Sequence, residues 1–469
     1  MNIAGLEDWG QRIGAWSRRY LETLRQRPVR AQTAPGAIAA RIPDAPPEGP
    51  EAMEAIFADF ERVVMPGMTH WQHPRFFAYF PANSSPPSVV AEWLTATLAA
   101  RCMLWQTSPA ATELETRMMD WLRQMIGLPA AFTGVIQDSA SSATLAALLV
   151  AREKALGFTG NKRGLAGGPR LRVYASDQAH SSIDKACWIA GIGQDNLLRL
   201  PSGGPLRGID AAALEAAIIA DRDKGHVPAA IVASIGGTAS GGSDDVGAVA
   251  AVARRQELYL HVDAAWAGSA MICPEFRHLM QGAEAADSFV FNPHKWLLTN
   301  FDCSAHFVRD PESLVAALGI RPSYLATHGR DGIVNYSEWS IPLGRRFRAL
   351  KLWFVIRSYG VEALRAMIRR HVAWAQALAA RLAAEPDFEI VTRPVLSLFT
   401  FRYRPAVATD LDALNLRLVQ AINDDGRIYL TPTAQGGQTV IRFQVGQGET
   451  TAQDVDEAFE VITEVARGL

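Results

Sequence analysis

Apolar side chains return at helical spacing through residues 1–30, at Leu6, Trp9, Ile13, Trp16, Tyr20 and Leu24, which predicts an amphipathic helix. A proline-rich stretch from Pro35 to Pro50 reads as an extended connector, and a second helix is expected from about Pro50 to Val64. These two helices offer no obvious core of their own, so they are expected to pack on something else, such as a partner subunit. From about residue 83 the period alternates. Helical patterns over 88–101, 110–127, 142–156, Asp210–Asp223 and Val246–Arg255 are interleaved with short apolar runs at Arg172–Ala175, Ala229–Ile235, Tyr259–Val262 and Ser288–Phe291. Such alternation argues for a mainly parallel sheet with helices on both faces. Beyond about residue 345 the pattern changes to two long helices, Arg346–Tyr359 and Val361–Ala384, then strands at Glu389–Val391, Leu396–Tyr403 and Val440–Val445. Thr450 and Gln453 offer a capping box for a last helix over 451–467. The pattern divides the chain into an N-terminal helical segment (1–82), a large α/β domain (83–345) and a small α+β domain (346–469).

Length and composition narrow the class. A chain of 469 residues suits two or three domains and buries a large core without disulfide or metal staples. The net charge of -2 offers no basic surface for nucleic acid. No uncharged apolar run approaches the ~20 residues of a membrane span. Glu7, Asp8, Arg12, Arg18, Arg19 and Glu22 interrupt any signal-like core at the N-terminus. Cys102, Cys187, Cys273 and Cys303 are scattered and form no C-x-x-C pair. They fit a reducing compartment, so a cytoplasmic location is expected.

In a parallel sheet the chemistry sits just beyond the carboxyl ends of the strands. Four turns in those places carry reactive or polar groups: Asp177-Gln-Ala-His180-Ser-Ser, Gly236-Gly-Thr238, Asp263 after His261-Val, and Asn292-Pro-His294-Lys295-Trp296. The chain holds six lysines: Lys154, Lys162, Lys185, Lys224, Lys295 and Lys351. A lone lysine is ordinarily a solvated charge. Lys295 differs because it lies between an apolar strand and Trp296-Leu297-Leu298, where desolvation favours the neutral amine. A neutral amine is the form that attacks an aldehyde to make an imine. Asp263 shares a strand face with His261, which would be half of a metal site, but no third ligand stands at suggestive spacing and no metal is expected. A carboxylate one strand from an imine lysine suits another task, keeping the pyridine nitrogen of pyridoxal phosphate protonated. Gln137-Asp-Ser139-Ala-Ser141-Ser142 precedes a helix. It reads either as a plain N-cap or as a phosphate cradle. His180 reads either as a hydrogen-bonded histidine or as a flat ring stacked on a planar cofactor.

The stretches THWQHPRFFAYFP (69–81), SPAATELETRMMDWL (108–122), SDQAHSSIDKA (176–186), LHVDAAWAGSAMICPEFRHL (260–279), DSFVFNPHKWLLTNFDCSA (287–305) and IPLGRRFRALKLWFVIRSYG (341–360) resemble the aromatic-L-amino-acid decarboxylases of the group II pyridoxal-phosphate decarboxylases. The resemblance covers nearly the whole chain. It implies an aspartate-aminotransferase-like α/β fold, and a homodimer interlocked through the N-terminal helices with shared active sites. By resemblance, Lys295 is the imine lysine, Asp263 pairs with the pyridine nitrogen and His180 stacks on the ring. Ala140, Ser141, Asn292 and His294 hold the phosphate, Thr238 and Ala265 lie nearby, and Gly344 reaches the neighbouring subunit's cofactor. Trp71, Phe80, Pro81, Ala82 and Met103 line the substrate side with His180. Tyr324 is the acid that protonates the α-carbon after carbon dioxide leaves.

The implied reaction converts DOPA, 5-hydroxytryptophan, tryptophan or phenylalanine and tyrosine types to their amines. Gly344 fits bulky aromatic substrates, whereas histidine decarboxylases tend to carry serine there. Ala82 departs from a frequent threonine, the residues near Arg101 and Met103 are less bulky than usual, and Ser142 stands where animal relatives carry glutamate. These departures leave the preferred ring open. Three rivals stand beside this reading: an aldehyde synthase or a decarboxylase of another amino acid on the same fold, a metal-dependent hydrolase built on His261 and Asp263, and an inactive scaffold.

Overall fold

The computed structural model describes residues 3–80, 82–320 and 333–469. Two compact units emerge. The larger contains Ala82–Ala373 and Pro394–Phe399, and the other described residues form the second.

The larger unit is built on a seven-stranded sheet. Its strands are β1 (Thr133–Gln137), β2 (Leu171–Ser176), β3 (Leu197–Leu200), β4 (Val227–Ser234), β5 (Tyr259–Asp263), β6 (Ser288–Phe291) and β7 (Ser304–Val308). Their spatial order is β1-β7-β6-β5-β4-β2-β3. Only β7 runs against the others, pairing antiparallel with both β1 and β6; β2 through β6 pair in parallel. The central strands are apolar on both faces because helices cover both faces. Val227–Ser234 is buried along nearly its whole length. One covering helix (Ala140–Ala155) turns Ala143, Ala146, Ala147, Val150 and Ala151 onto the sheet. Ala146, Ala147, Val150 and Ala151 belong to the main core with Val173, Ala230 and Val232, and Ala143 packs with Ala140 and Val290. Small residues let the helix lie close, which brings its N-terminus up to the strand ends.

All four strands expected from the apolar runs are present. The apolar runs do not predict β1, β3 or β7. Each has five residues or fewer, β1 contains Gly134, β3 contains Arg199, and β7 contains the buried His306. The two expected long helices form one helical stretch, Arg348–Ala384, broken at Gly360 (φ 72°, ψ 159°). That is the left-handed region that glycine tolerates.

The second unit contains most of a four-stranded sheet, β8 (Phe388–Val395), β9 (Leu398–Tyr403), β10 (Thr431–Gln435) and β11 (Gln438–Gln444), ordered β8-β9-β11-β10. The N-terminal helix spans Ile3–Glu22, and the next runs Met53–Asp59 with a wider-wound turn to Val64. They do have a shared contact surface: Trp9 and Trp16 pack on Phe57, and Trp16 also packs on Phe60. The chain that follows docks on the C-terminal portion. Arg25 pairs with Asp454 at 3.0 Å and Phe77 stacks on Phe443 at 4.4 Å. The last helix, Ala452–Arg467, corrects the expected cap by one residue. Thr451 and Asp454 form the capping box, while the Thr450 hydroxyl donates to the Pro74 carbonyl. Aspartate at the third helical position reaches back as glutamate or glutamine would.

Candidate active site

The parallel strands β2, β4, β5 and β6 place the four polar turns at one edge of the sheet. Beyond that edge lies a cavity of about 190 Å³, lined by Ala140, Ser141, His180, Thr238, Asp263, Ala265, Asn292, His294 and Lys295. These are nine of the residues singled out from the sequence.

Lys295 sits in a single helical turn, Pro293–Trp296, directly after β6. Its backbone is held from two sides. Its N–H donates to the Asn292 carbonyl at 3.0 Å, and the Asn83 side-chain amide donates to the Lys295 carbonyl at 2.7 Å. Trp296 is fully buried, and its indole N–H donates to His371 Nδ1 at 2.9 Å. Trp266 packs on Trp296 at 5.3 Å and donates to the Gly236 carbonyl at 2.5 Å. This indole pair braces the lysine turn against the glycine turn after β4. Gly236 has φ +74°, and a Cβ there would stand 2.8 Å from Trp266 Nε1. The position needs glycine both for its conformation and for the close approach.

Asp263 ends β5 and is 7% exposed. One carboxylate oxygen accepts the Ala265 N–H at 3.0 Å. Across the sheet it is in register with Ser234, whose buried hydroxyl has no hydrogen-bond partner among the described residues and which also lines the cavity. His180 follows β2 and lies exposed at the cavity. Burial of its surroundings and the Lys295 and Arg199 charges lower its pKa, against opposing pulls from Asp263 and Asp184.

The other end of the cavity is rich in donors. Asn292 accepts the Ser304 hydroxyl through its side-chain oxygen at 2.6 Å, leaving its NH2 as the donor end. His294 Nδ1 accepts the Cys303 N–H at 2.9 Å. Burial first, and then the Lys295 charge, push the His294 pKa down to about 3. The ring is therefore neutral, with its proton on Nε2. Ser139 caps the helix Ala140–Ala155, accepting the Ser142 N–H at 3.2 Å, and the cavity meets that helix at Ala140 and Ser141. A helix N-terminus with adjacent neutral donors is a site for an anion. The cavity thus offers an anion cradle, a carboxylate on β5 and a reactive amine. That donor set fits the phosphate, the pyridine nitrogen and the aldehyde of pyridoxal phosphate.

Other expected residues lie elsewhere. Ala82 and Met103 belong to the same unit and are half-buried, but neither lines this cavity. Gly344 is exposed, with nothing within 4 Å of where a Cβ would stand. Trp71 and Phe80 belong to the second unit. Trp71 stacks on Phe76 and Tyr79, and Phe80 lies under the Arg442 guanidinium. Pro81 and Tyr324 fall outside the described residues. Both ring nitrogens of His261 are engaged by hydroxyls, Thr144 at 3.2 Å and Ser288 at 2.8 Å. Ser234, Trp266 and Phe301 line the cavity without having been foreseen. Only strand pairing reveals Ser234, as the neighbour of Asp263.

Comparison with known proteins agrees with this geometry. A family model described as the pyridoxal-dependent decarboxylase conserved domain matches residues 35–404. The chain is 42% identical to an aromatic-L-amino-acid decarboxylase of Sus scrofa, covering 100% of this chain and 98% of that protein. It is 39% identical to a phenylacetaldehyde synthase of Arabidopsis thaliana, covering 99% and 96%. Among solved structures, Oryza sativa TDC with PLP and tryptamine superposes with a TM-score of 0.96 at 37% identity, covering 100% of this chain and 99% of the other. This chain therefore belongs to the pyridoxal-dependent decarboxylase family.

Proposed function

We propose that this protein removes the carboxylate of aromatic L-amino acids, of the DOPA, 5-hydroxytryptophan, tryptophan or phenylalanine and tyrosine type, to give the amine and carbon dioxide. The observation that carries the reading is the convergence of Lys295, Asp263 and His180 in one cavity whose far end is an anion cradle. The aromatic class is supported by the relatives, including one whose structure was solved with L-tryptophan, the tryptophan decarboxylase of Catharanthus roseus.

In this reading, Lys295 would supply the amine that holds the cofactor, and Ala140, Ser141, Asn292, His294 and Thr238 would hold its phosphate. Ala265 would line the same site. Bound there, pyridoxal phosphate supplies an electron sink for the bond that breaks. The Asp263 carboxylate at the end of β5 would favour a proton on the ring nitrogen of a cofactor held there. His294 and Asn292 donate to the phosphate without adding charge. His180 covers one face of the cavity. Trp71, Phe80, Pro81, Ala82 and Met103 shape the substrate side. Tyr324 delivers the proton to the α-carbon.

The same reading makes the protein a cytoplasmic homodimer in which Gly344 serves the neighbouring copy's site. Its open surroundings support this, as does the apolar face of the helix Pro86–Leu98, where Val89, Val90, Trp93, Leu94 and Leu98 are exposed. All four cysteines are buried free thiols, which suits a reducing compartment. No helix among the described residues is long and apolar enough to cross a membrane.

The test is a panel of aromatic amino acids scored for amine, carbon dioxide, aldehyde and peroxide. Amine and carbon dioxide without peroxide are expected. Aldehyde and peroxide as main products would instead make the protein an aldehyde synthase, the activity named for the Arabidopsis thaliana relative. Tyr324→Phe is expected to shift the product from amine toward aldehyde. Amine formation at the normal rate in that variant would remove Tyr324 as the acid.

A further inference from the structure

The turn that carries His180 is wired from one side. The backbone N–H of Ser182 donates to His180 Nδ1 at 3.1 Å, and the Ser182 hydroxyl lies 2.8 Å from the same nitrogen. A backbone N–H can only donate. Nδ1 is therefore the bare, accepting nitrogen, and a neutral ring carries its proton on Nε2. Ser182 is also the first residue of the helix Ser182–Ile189, so Nδ1 faces the positive end of a helix, which opposes a cationic ring. A histidine held neutral in this way donates a hydrogen bond without acting as an acid of full positive charge.

Arg199 locks the same turn from the neighbouring strand β3. Its guanidinium donates to the carbonyls of Ser176 at 2.7 Å and Ala179 at 2.9 Å, and to the Asp184 carboxylate at 2.6 Å. Ser176 ends β2, and Asp184 lies in the first turn of the helix. One planar group thus ties the strand end, the turn and the helix start together. A lysine could not make this fork of bonds. The charges that act on the ring are those of Asp263, Lys295, Arg199 and Asp184.

We propose that Ser182, Arg199 and Asp184 are positioning residues that hold His180 as a neutral imidazole with its proton on Nε2, presenting a hydrogen-bond donor to an oxygen of the bound ligand. The inference rests on the reading of this cavity as the reaction site. The proton state of the ring is measured without turnover, so a wrong substrate class would leave the measurement untouched.

The experiment is nitrogen-15 NMR of the histidine-labelled holoenzyme, with the His180 signals identified as those lost in His180→Gln. An unprotonated Nδ1 and a protonated Nε2 are expected, unchanged between about pH 6 and 8. A proton on Nδ1, or a ring that titrates within that range, would overturn the assignment. In Arg199→Met the two nitrogen shifts should move toward each other as the tautomers mix, with a roughly tenfold or larger fall in kcat and little change in KM. Ser182→Ala, which keeps the backbone donor, should show a smaller change of the same kind. If Arg199→Met lowers thermal stability but leaves the His180 shifts in place, Arg199 only supports the fold and its positioning role is wrong.

Discussion

The backbone on either side of the Lys295 side chain is fixed by Asn83, Asn292 and the Trp296–His371 bond. Removing the side chain alone should therefore leave the turn standing. Lys295→Ala is expected to lose both turnover and the visible absorbance of a lysine-linked cofactor; normal turnover would overturn its assignment. This lysine was legible in the sequence because its chemistry is local: an apolar run, a turn, then an amine flanked by Trp296. Asp263 and His180 were legible for the same reason. Ser234 was not, because it is the last residue of an apolar strand and reaches the cavity only through its pairing with Asp263. The buried histidines make a second residue-scale case. Burial holds the pKa of His306 at about 4 and that of His371 at about 3, with His294 at about 3. An unfolded histidine titrates near ~6.5. As pH falls through that value the unfolded chain gains protons that the folded protein refuses until much lower, so stability is lost as pH drops toward about 4. Each such site contributes a slope of about 1.4 kcal/mol per pH unit. Neither ring nitrogen of His306 has a hydrogen-bond partner among the described residues, which makes His306→Phe the clean probe. Urea unfolding at a series of pH values should show a slope shallower by one histidine, and an unchanged slope would mean that His306 is not held neutral.

Three elements of the larger unit meet at one buried ion pair. Arg345 contacts both carboxylate oxygens of Glu115, at 2.6 and 3.1 Å, and each side chain is 2% exposed. Arg345 also donates to the Ile136 carbonyl at 2.7 Å, and Glu115 accepts the Ile136 N–H at 2.9 Å. The pair therefore joins β1, the helix Pro109–Ile126 and the segment just after Gly344. Both terminal guanidinium nitrogens and both carboxylate oxygens have partners, which is the condition under which a buried pair is tolerated. Glu115→Gln leaves the guanidinium buried without its counter-charge and is expected to cost about 3–5 kcal/mol, read from the urea midpoint. Adding Arg345→Met should recover part of that loss. A double variant no better than the single one would show that the cost comes from packing and not from charge. The helix itself was visible in the sequence from its apolar period. Glu115 was not visible as a structural residue, because a carboxylate on a buried face reads as an error of phase until β1 is known to lie beside it. The one-residue slip of the last helix cap has a similar origin: Thr450 and Thr451 are adjacent threonines, and only the Thr450 bond to Pro74 separates them.

At the scale of the molecule, the larger unit carries an exposed apolar face. Along the helix Pro86–Leu98, Val89, Val90, Trp93, Leu94 and Leu98 are exposed, with Leu98 at 62%. Phe301, a residue of the cavity wall, is also 62% exposed. Contiguous apolar surface of this kind marks an interaction site. A hydrophobic ring left in water beside a catalytic cavity calls for a cover. On the homodimer reading proposed above, a second copy of the chain would cover both features, and the exposed Gly344 would have a site to serve. Placing charges on the helix tests the idea without touching the cavity. Trp93→Glu combined with Leu98→Glu is expected to move sedimentation from twice the chain mass toward the single chain. Activity should fall in parallel and recover as protein concentration rises, because burying two carboxylates in an apolar contact carries a desolvation cost that association must overcome. The expected weakening is at least tenfold in the dimer constant, or about 1.4 kcal/mol. A double variant that sediments and turns over like the parent would mean that this face lies outside the dimer contact. Loss of activity in a variant that remains dimeric would place the effect inside one copy and remove the shared-site reading of Gly344.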